Sequence, residues 1–203
     1  RVDSDVPDGI ARVALEQGAD LVVLSVAPSA RLGRWLFGDP VDAICRQVHC
    51  PVVMARLRQD PAELQRVLVP VKDPTAGALE QFQLAERFIS SGALPGSITL
   101  FHLHDPLLPA GEQQALRRQL ESWIPSQGGG SGAAPVELEL VGGYGVSAEI
   151  LRRSRHHDLV ILRSQRRMVE GLPIPASDRA SSLLRRLRCS SLVVSDPLHA
   201  PPG

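Results

Sequence analysis

The segment Ser25 to Asp39, SVAPSARLGRWLFGD, lies where many α/β proteins place a phosphate-binding loop. It follows an apolar run, LVVL, and leads into a short helical pattern and a second apolar run. Glycines in such a loop let backbone N–H groups approach phosphate oxygens, and a following helix N-terminus adds partial positive charge. Here Ser25 and Pro28 stand where glycine is expected, and Gly38 is followed by the acid Asp39. The order of elements favours a nucleotide site, whereas the residue types do not.

Histidines supply a second set of candidate residues. His102 and His104 are two apart in an apolar run, so they share one face of a strand, and Asp105 follows. A metal site is one interpretation of this group, and a packed strand-end histidine is the other. His156 and His157 close a helical pattern, but adjacent helical residues point in different directions, so we do not expect them to share a ligand. We therefore expect no metal.

The chain contains neither a catalytic constellation nor a disulfide framework. Its three cysteines, Cys45, Cys50 and Cys189, form no Cys-x-x-Cys pair, which indicates free thiols in a reducing compartment. Ser, His and Asp residues occur in no spacing that marks a nucleophile and its base. We expect no catalytic residue.

Bulk composition is that of an ordinary globular protein. The 203 residues are 43% hydrophobic and 22% charged, and the formal net charge is zero. A neutral chain gives no electrostatic reason to expect a nucleic acid or an anionic membrane surface as a partner. No apolar run reaches the roughly 18 to 20 residues that a membrane helix needs.

Apolar runs alternate with amphipathic helical patterns along the whole chain. The predicted strands are LVVLS, PVVMARL, RVLVPV, SITLFHL, VELELV, DLVILR and SSLVVS. One helical pattern precedes the first predicted strand, and others lie between later strands. The segment from Ser126 to Pro135 is predicted to be a glycine-rich loop. Strands alternating with helices predict right-handed crossovers and a parallel sheet with helices on both faces.

Two parts of the chain resemble each other. Asp20 to Asp39 aligns without a gap with Asp158 to Ser177, and Gly33 then falls on Gly171. Such a repeat indicates two copies of one domain, the first of which has only its second half. The predicted organisation is a half-domain at 1–57, a linker at 58–65, a complete domain at 66–197 and a tail at 198–203.

RVLVPVKDP, ITLFHLHDP and CPVVMARL resemble the first, second and last strands of the universal stress protein family. The resemblance implies a five-stranded parallel sheet with helices on both faces, and pairing of domains through their last strands. It implies self-association, between domains or in a homodimer, through PVVMARL and SSLVVS. In nucleotide-binding members, a Gly-x2-Gly-x9-Gly-Ser/Thr loop holds the phosphates, and an acid ending the first strand contacts the nucleoside.

The resemblance carries the loop spacing onto this chain twice. In the first copy the positions are Ser25, Pro28, Gly38 and Asp39, a degenerate loop in which Pro28 lacks a donor and Asp39 repels phosphate. In the second copy they are Arg163, Arg166, Ala176 and Ser177, with Arg167 alongside, and the acid position falls on Lys72, next to Asp73. Two interpretations stay open: an altered site that holds AMP, ATP or a cyclic dinucleotide by charge, or surface arginines with no ligand. No cofactor is required.

The segment from Gly33 to Val71, GRWLFGDPVDAICRQVHCPVVMARLRQDPAELQRVLVPV, resembles the cytoplasmic tail of cyanobacterial-type cation:proton antiporters. This implies a non-catalytic regulatory module, tethered at the inner membrane by a transmembrane domain of the same polypeptide. Two alternatives are a free-standing ATP- or AMP-binding stress protein with weak ATPase activity, and an assembly domain that senses nothing.

Overall fold

The computed structural model describes residues 5–25, 39–92, 94–124, 134–164, 168–169, 172–173 and 178–195. They fall into two compact units. The first takes its described residues from Arg1–Leu57, Arg163–Arg186 and Ser191–Gly203, and the second from Arg58–Leu162 and Leu187–Ser190. No helix in these described ranges is both long and apolar enough to cross a membrane.

The first unit begins with helix α1 (Val6–Glu16), strand β1 (Val22–Ser25), helix α2 (Asp39–Gln47) and strand β2 (Val52–Arg56). Asp5 is the N-cap of α1, although its side chain makes no capping hydrogen bond. Gly18, just beyond α1, has a φ of 58°, which glycine adopts without steric cost. That turn brings the chain back into β1, which pairs parallel with β2.

Strand β9 (Ser190–Ser195) pairs antiparallel with β2, with Met54 opposite Val193. Every residue of both strands is buried, as continuous apolar runs predict for a sheet covered on both faces. Helix α6 (Asp178–Arg186) precedes β9, and its Leu184 carbonyl accepts a hydrogen bond of 2.7 Å from the buried Arg56 guanidinium. These are the strands through which self-association is predicted, and that self-association stays a prediction.

The second unit contains strands β3 (Arg66–Val71), β4 (Ser97–His104), β5 (Val136–Gly142) and β6 (Leu159–Ser164), all parallel in the order β6-β3-β4-β5. Its helices are α3 (Ala76–Ser90), α4 (Ala110–Glu121) and α5 (Val146–Arg153). Two 3-10 turns lie at Pro61–Glu63 and Ser154–His156. A short hairpin that belongs to the first unit, β7 (Met168–Val169) with β8 (Leu172–Pro173), follows β6 in the sequence.

The core of the second unit forms between β3, β4, β6 and helix α3. Its fully buried side chains include Leu68, Phe82, Ile98, Leu100, Phe101, Leu159 and Ile161. The α/β class is confirmed, but the described residues provide seven strands of the main sheet rather than five. The number is seven because the five strands predicted for the second copy all form and the first copy contributes β1 and β2. The predicted domain boundaries differ from the compact units because β9 pairs with β2, and they stay a prediction.

Candidate functional site

The sheet of the second unit has a topological switch point at β3, where the strand order reverses. From β3 it passes to β4 and β5 on one side, and then returns to β6 on the other side of β3. In open parallel sheets, ligands bind outside the carboxyl ends of the strands at such a switch point. The carboxyl end of β3, next to β6, is therefore the candidate site.

Regular pairing between β3 and β6 stops just before this edge. The register pairs Val67 with Leu159 and Leu68 with Val160, so the next ladder hydrogen bond would run from the nitrogen of Pro70 to the carbonyl of Ile161. Proline has no N–H to donate. The ladder therefore ends at the switch point because of the residue at position 70.

Gln81 of α3 supplies the donor that Pro70 lacks. Its side-chain nitrogen donates to the Ile161 carbonyl at 2.7 Å and to the Pro70 carbonyl at 3.1 Å. Gln81 is 2% exposed, so both carbonyls would otherwise be buried without this donor. Sequence reasoning missed this residue, although a glutamine between Ala78, Phe82 and Ala85 on the apolar face of a helix was a usable signal.

Lys72 and Asp73 directly follow β3 and point to solvent. The lysine side chain is 77% exposed, and its Nζ lies 3.5 Å from an Asp73 carboxylate oxygen. The Asp73 carbonyl accepts a hydrogen bond of 2.9 Å from the Thr75 nitrogen, and the Thr75 hydroxyl caps α3 by accepting from the Ala78 nitrogen. The predicted charged pair thus lies at the switch point, beside a capped helix N-terminus, and an exposed ion pair of this kind adds little stability.

His102 lies at the end of β4, where the sequence places it, and it is buried. Its Nδ1 lies 3.0 Å from the Val71 carbonyl, which can only accept, so Nδ1 carries the proton. Burial lowers the pKa of His102, and the hydrogen bond to Val71 offsets only part of that effect. A neutral imidazole committed to the backbone packs the strand end and brings no charge to a ligand.

His104, Cys50 and Cys189 do not have the features of catalytic residues. His104 bonds through Nδ1 to the Asp105 carbonyl at 2.8 Å. Burial raises the pKa of Cys50, and burial raises that of Cys189 to about 11, so these thiols stay protonated at neutral pH. Within the described part of the chain, no group of three or more His, Cys, Asp or Glu residues is placed to hold a metal ion.

Most of the predicted loop residues lie outside the described ranges. These are Pro28 and Gly38 of the first copy and Arg166, Arg167, Ala176 and Ser177 of the second. Ser25 ends β1 and is exposed, Asp39 begins α2, and Arg163 is half-buried near the end of β6. The predicted use of these positions stays a prediction.

Comparisons with known proteins match one segment of the chain to a family and nearly the whole chain to a fold. Residues 1–56 match the model of the universal stress protein family, which confirms the resemblance of this segment. A universal stress protein from Archaeoglobus fulgidus DSM 4304 shares the fold with a TM-score of 0.63 at 16% identity, over 92% of this chain and 65% of that one. The functionally unknown protein PA1789 from Pseudomonas aeruginosa PAO1 does so with a TM-score of 0.57 at 15% identity, over 96% of this chain and 69% of that one.

A curated relative is similar over nearly the whole chain. The Na(+)/H(+) antiporter NhaS5 from Synechocystis sp. (strain ATCC 27184 / PCC 6803 / Kazusa) is 31% identical over 201 residues, which confirms the predicted similarity to a cation:proton antiporter. The aligned region covers 97% of this chain and 28% of NhaS5. This chain therefore spans little more than a quarter of that relative.

Proposed function

We propose that this chain is a non-catalytic regulatory module of a cation:proton antiporter, located in the cytoplasm beside the membrane part of the same polypeptide. The observation that carries the proposal is the 31% identity to an antiporter over 97% of this chain. Since the match covers 28% of that relative, ion transport belongs to residues outside this chain. The chain would then act on transport and not perform it.

The chemistry at the switch point supports binding rather than catalysis. His102, beside the end of β3, is neutral and bonded to the backbone. Lys72 and Asp73 are exposed, and their ion pair with each other lies at the surface. Enzymes stabilise the charge of a transition state with hydrogen-bond donors that are fixed in place and shielded from water. An exposed lysine such as Lys72 is neither fixed nor shielded.

We propose that a small anion is the regulatory ligand, with AMP, ATP or a cyclic dinucleotide as the candidates. Lys72 is the cation that follows β3 at the switch point, and it would attract a phosphate group. Such a ligand changes transport only if it binds one conformation of the antiporter more tightly than the other. The ligand need not be consumed.

The test uses the complete polypeptide that carries this chain. Everted membrane vesicles from antiporter-deficient cells would report cation-dependent proton movement for the complete polypeptide and for one from which this chain is deleted. We expect exchange to persist in the truncated protein, with an altered dependence on pH or nucleotide concentration. Identical activity and identical dependence in the two proteins would refute a regulatory role.

A free-standing nucleotide-binding protein is the alternative, and the switch point at the carboxyl end of β3 favours it. Calorimetric titration of this chain with ATP, AMP and cyclic dinucleotides tests it directly. Micromolar ATP binding that is lost in Ser177→Ala, together with slow hydrolysis, would support this alternative. An absence of all nucleotide binding in a stable dimer would instead support an assembly module.

A further inference from the structure

The two most exposed large hydrophobic side chains of the described ranges lie on loops of the second unit. Leu107, in the loop after β4, is 82% exposed, and Tyr144, in the loop after β5, is 78% exposed. Val146, at the start of α5, is 46% exposed. Together they form an apolar surface, the Tyr144 surface, at the carboxyl ends of β4 and β5.

Backbone contacts hold the two loops of the Tyr144 surface against each other. The Gly143 nitrogen donates to the His104 carbonyl at 3.0 Å. A Cβ at Gly142 would lie 3.1 Å from the Pro106 Cα atom, so the two backbones approach each other closely there. A molecule that binds this surface does not have to order the loops first, which lowers the cost of binding.

The cation that follows β3 lies at the same edge of the sheet as the Tyr144 surface. The register pairs Val71 with His102 and His104 with Gly142, so β3, β4 and β5 end within two residues of one another. Adjacent strands are about 4.8 Å apart, which puts the end of β5 roughly 10 Å from the end of β3. A nucleotide with its phosphate at the cation can therefore reach the Tyr144 surface with its base.

The size of the Tyr144 surface favours a small planar ligand over a protein. Three side chains expose far less than the roughly 800 Å² per partner that a stable protein interface buries. One flat ring is enough to cover a tyrosine ring. Stacking on an aromatic side chain strengthens the binding of a nucleobase on the order of tenfold to a hundredfold.

The exposed cation contributes little by itself. Lys72 is 77% exposed and its Nζ lies 3.5 Å from an Asp73 carboxylate oxygen, so its charge is both solvated and shared. We propose that Tyr144, with Leu107 on the adjoining loop, stacks against the base of a nucleotide and is the main determinant of its affinity. This inference rests on the proposal that a nucleotide is the regulatory ligand, and it names the base as the part that is recognised.

Tyr144 is the only tyrosine in the sequence, so its ring can be observed selectively. With ring-labelled tyrosine, nuclear magnetic resonance of this chain reports that ring while AMP, adenosine or pyrophosphate is added. We expect AMP and adenosine to shift the ring signals upfield until saturation, because a stacked base places them in its ring current, and pyrophosphate to leave them unchanged. Signals that neither AMP nor adenosine shifts would overturn the proposal. Signals that shift on raising the protein concentration alone, with dimer formation, would overturn it in favour of a second copy.

Substitutions separate this inference from the proposed function. Tyr144→Ala should weaken AMP binding by about tenfold or more in calorimetric titration, whereas Tyr144→Phe keeps the ring and should bind as the wild type does. Leu94→Ala is the matched control, since Leu94 is an exposed apolar residue of the same unit that precedes the opposite end of β4. AMP binding that survives Tyr144→Ala would overturn the inference and leave the nucleotide ligand standing. Stacking of AMP on Tyr144, with ion exchange by the complete polypeptide that ignores nucleotides, would support the inference and refute the regulatory role.

Discussion

The guanidinium carbon of Arg153 lies 4.1 Å from the centre of the Phe101 ring. The same side chain is 7% exposed and forms ion pairs with Glu139, at 2.5 Å, and with Glu149. A buried arginine is stable only when its charge is matched and its donors are used, and here a ring and two carboxylates do so. This cluster of Arg153, Phe101, Glu139 and Glu149 links β4 and β5 to α5. None of these residues adjoins Lys72 or Asp73 in the sequence.

Replacing Arg153 with methionine should destabilise the second unit by about 2 to 4 kcal/mol, because it leaves two carboxylates without their shared partner. Urea unfolding followed by circular dichroism would measure the change in free energy. Arg152→Met is the matched control, since Arg152 also pairs with Glu149 but its side chain is 63% exposed. That control should cost less than about 1 kcal/mol. Equal losses in the two variants would contradict the role assigned to burial.

Asp158 should make stability depend on pH in the acid range. Burial raises its pKa, but hydrogen bonds from the Arg66 side chain and from the Arg66 and Gln65 nitrogens outweigh burial and hold the pKa below its ordinary value of 3.8. The ionised carboxylate therefore stabilises the fold above that value, and this contribution disappears as the pH falls through the lower, folded-state pKa. Asp158→Asn should destabilise the chain at pH 7 by about 1 to 3 kcal/mol.

Urea midpoints measured from pH 7 down to pH 3 would check this prediction. The gap between wild type and Asp158→Asn should narrow as the acid limit is approached. Asp73→Asn serves as the control, because that carboxylate is 58% exposed and its lysine partner more so. A gap for Asp158→Asn that does not change with pH would show that shape, and not charge, explains the loss.

Gln81→Leu should cost about 1 to 3 kcal/mol, since it leaves the carbonyls of Pro70 and Ile161 without their side-chain donor. Gln83→Leu changes the same residue type on an exposed position of the same helix and should be nearly neutral. Thermal unfolding would compare the two variants. Unchanged stability in Gln81→Leu would show that the carbonyls do not need Gln81.

Gly96→Ala should destabilise the second unit by about 1 to 3 kcal/mol. A Cβ at this position would lie 2.7 Å from the Gln65 carbonyl oxygen and 2.7 Å from the Ile89 Cδ1 atom, and the backbone oxygen cannot easily move away. Gly111→Ala, in the first turn of α4, has no atom within 4 Å of its added carbon and should be neutral or slightly stabilising. Differential scanning calorimetry on both variants would decide. A harmless Gly96→Ala would mean that the strand entry is looser than the contacts indicate.

The strands were predictable because their signal is local. The apolar runs of β2, β3 and β9 are long enough, and flanked clearly enough, to be read without knowledge of their neighbours. Pro70 argues against a central position for β3, since a central strand needs its donors on both sides. What permits it is Gln81, eleven residues later, which the one-dimensional pattern of α3 does not reveal.

Strand pairing and site chemistry were harder to predict, because they depend on residues that are far apart in the sequence. The partner of β2 is β9, far along the chain, and the sequence suggests this contact only through the family resemblance. Lys72 and Asp73 follow the end of β3, which the apolar pattern of that strand predicts, and their role in binding stays a prediction. The residues of the cluster around Arg153 lie on β4, β5 and α5, so no single segment of the sequence predicts it.

The proline at position 70 has a thermodynamic consequence for any molecule that reaches the carboxyl end of β3. The backbone hydrogen bond from position 70 to the Ile161 carbonyl cannot form, because proline has no N–H, and the Gln81 side chain bonds to that carbonyl instead. A molecule that bonds to the Pro70 and Ile161 carbonyls would therefore displace one side chain of α3 and would not have to separate two strands. Its cost is that of a side-chain hydrogen bond, which can re-form when the molecule leaves.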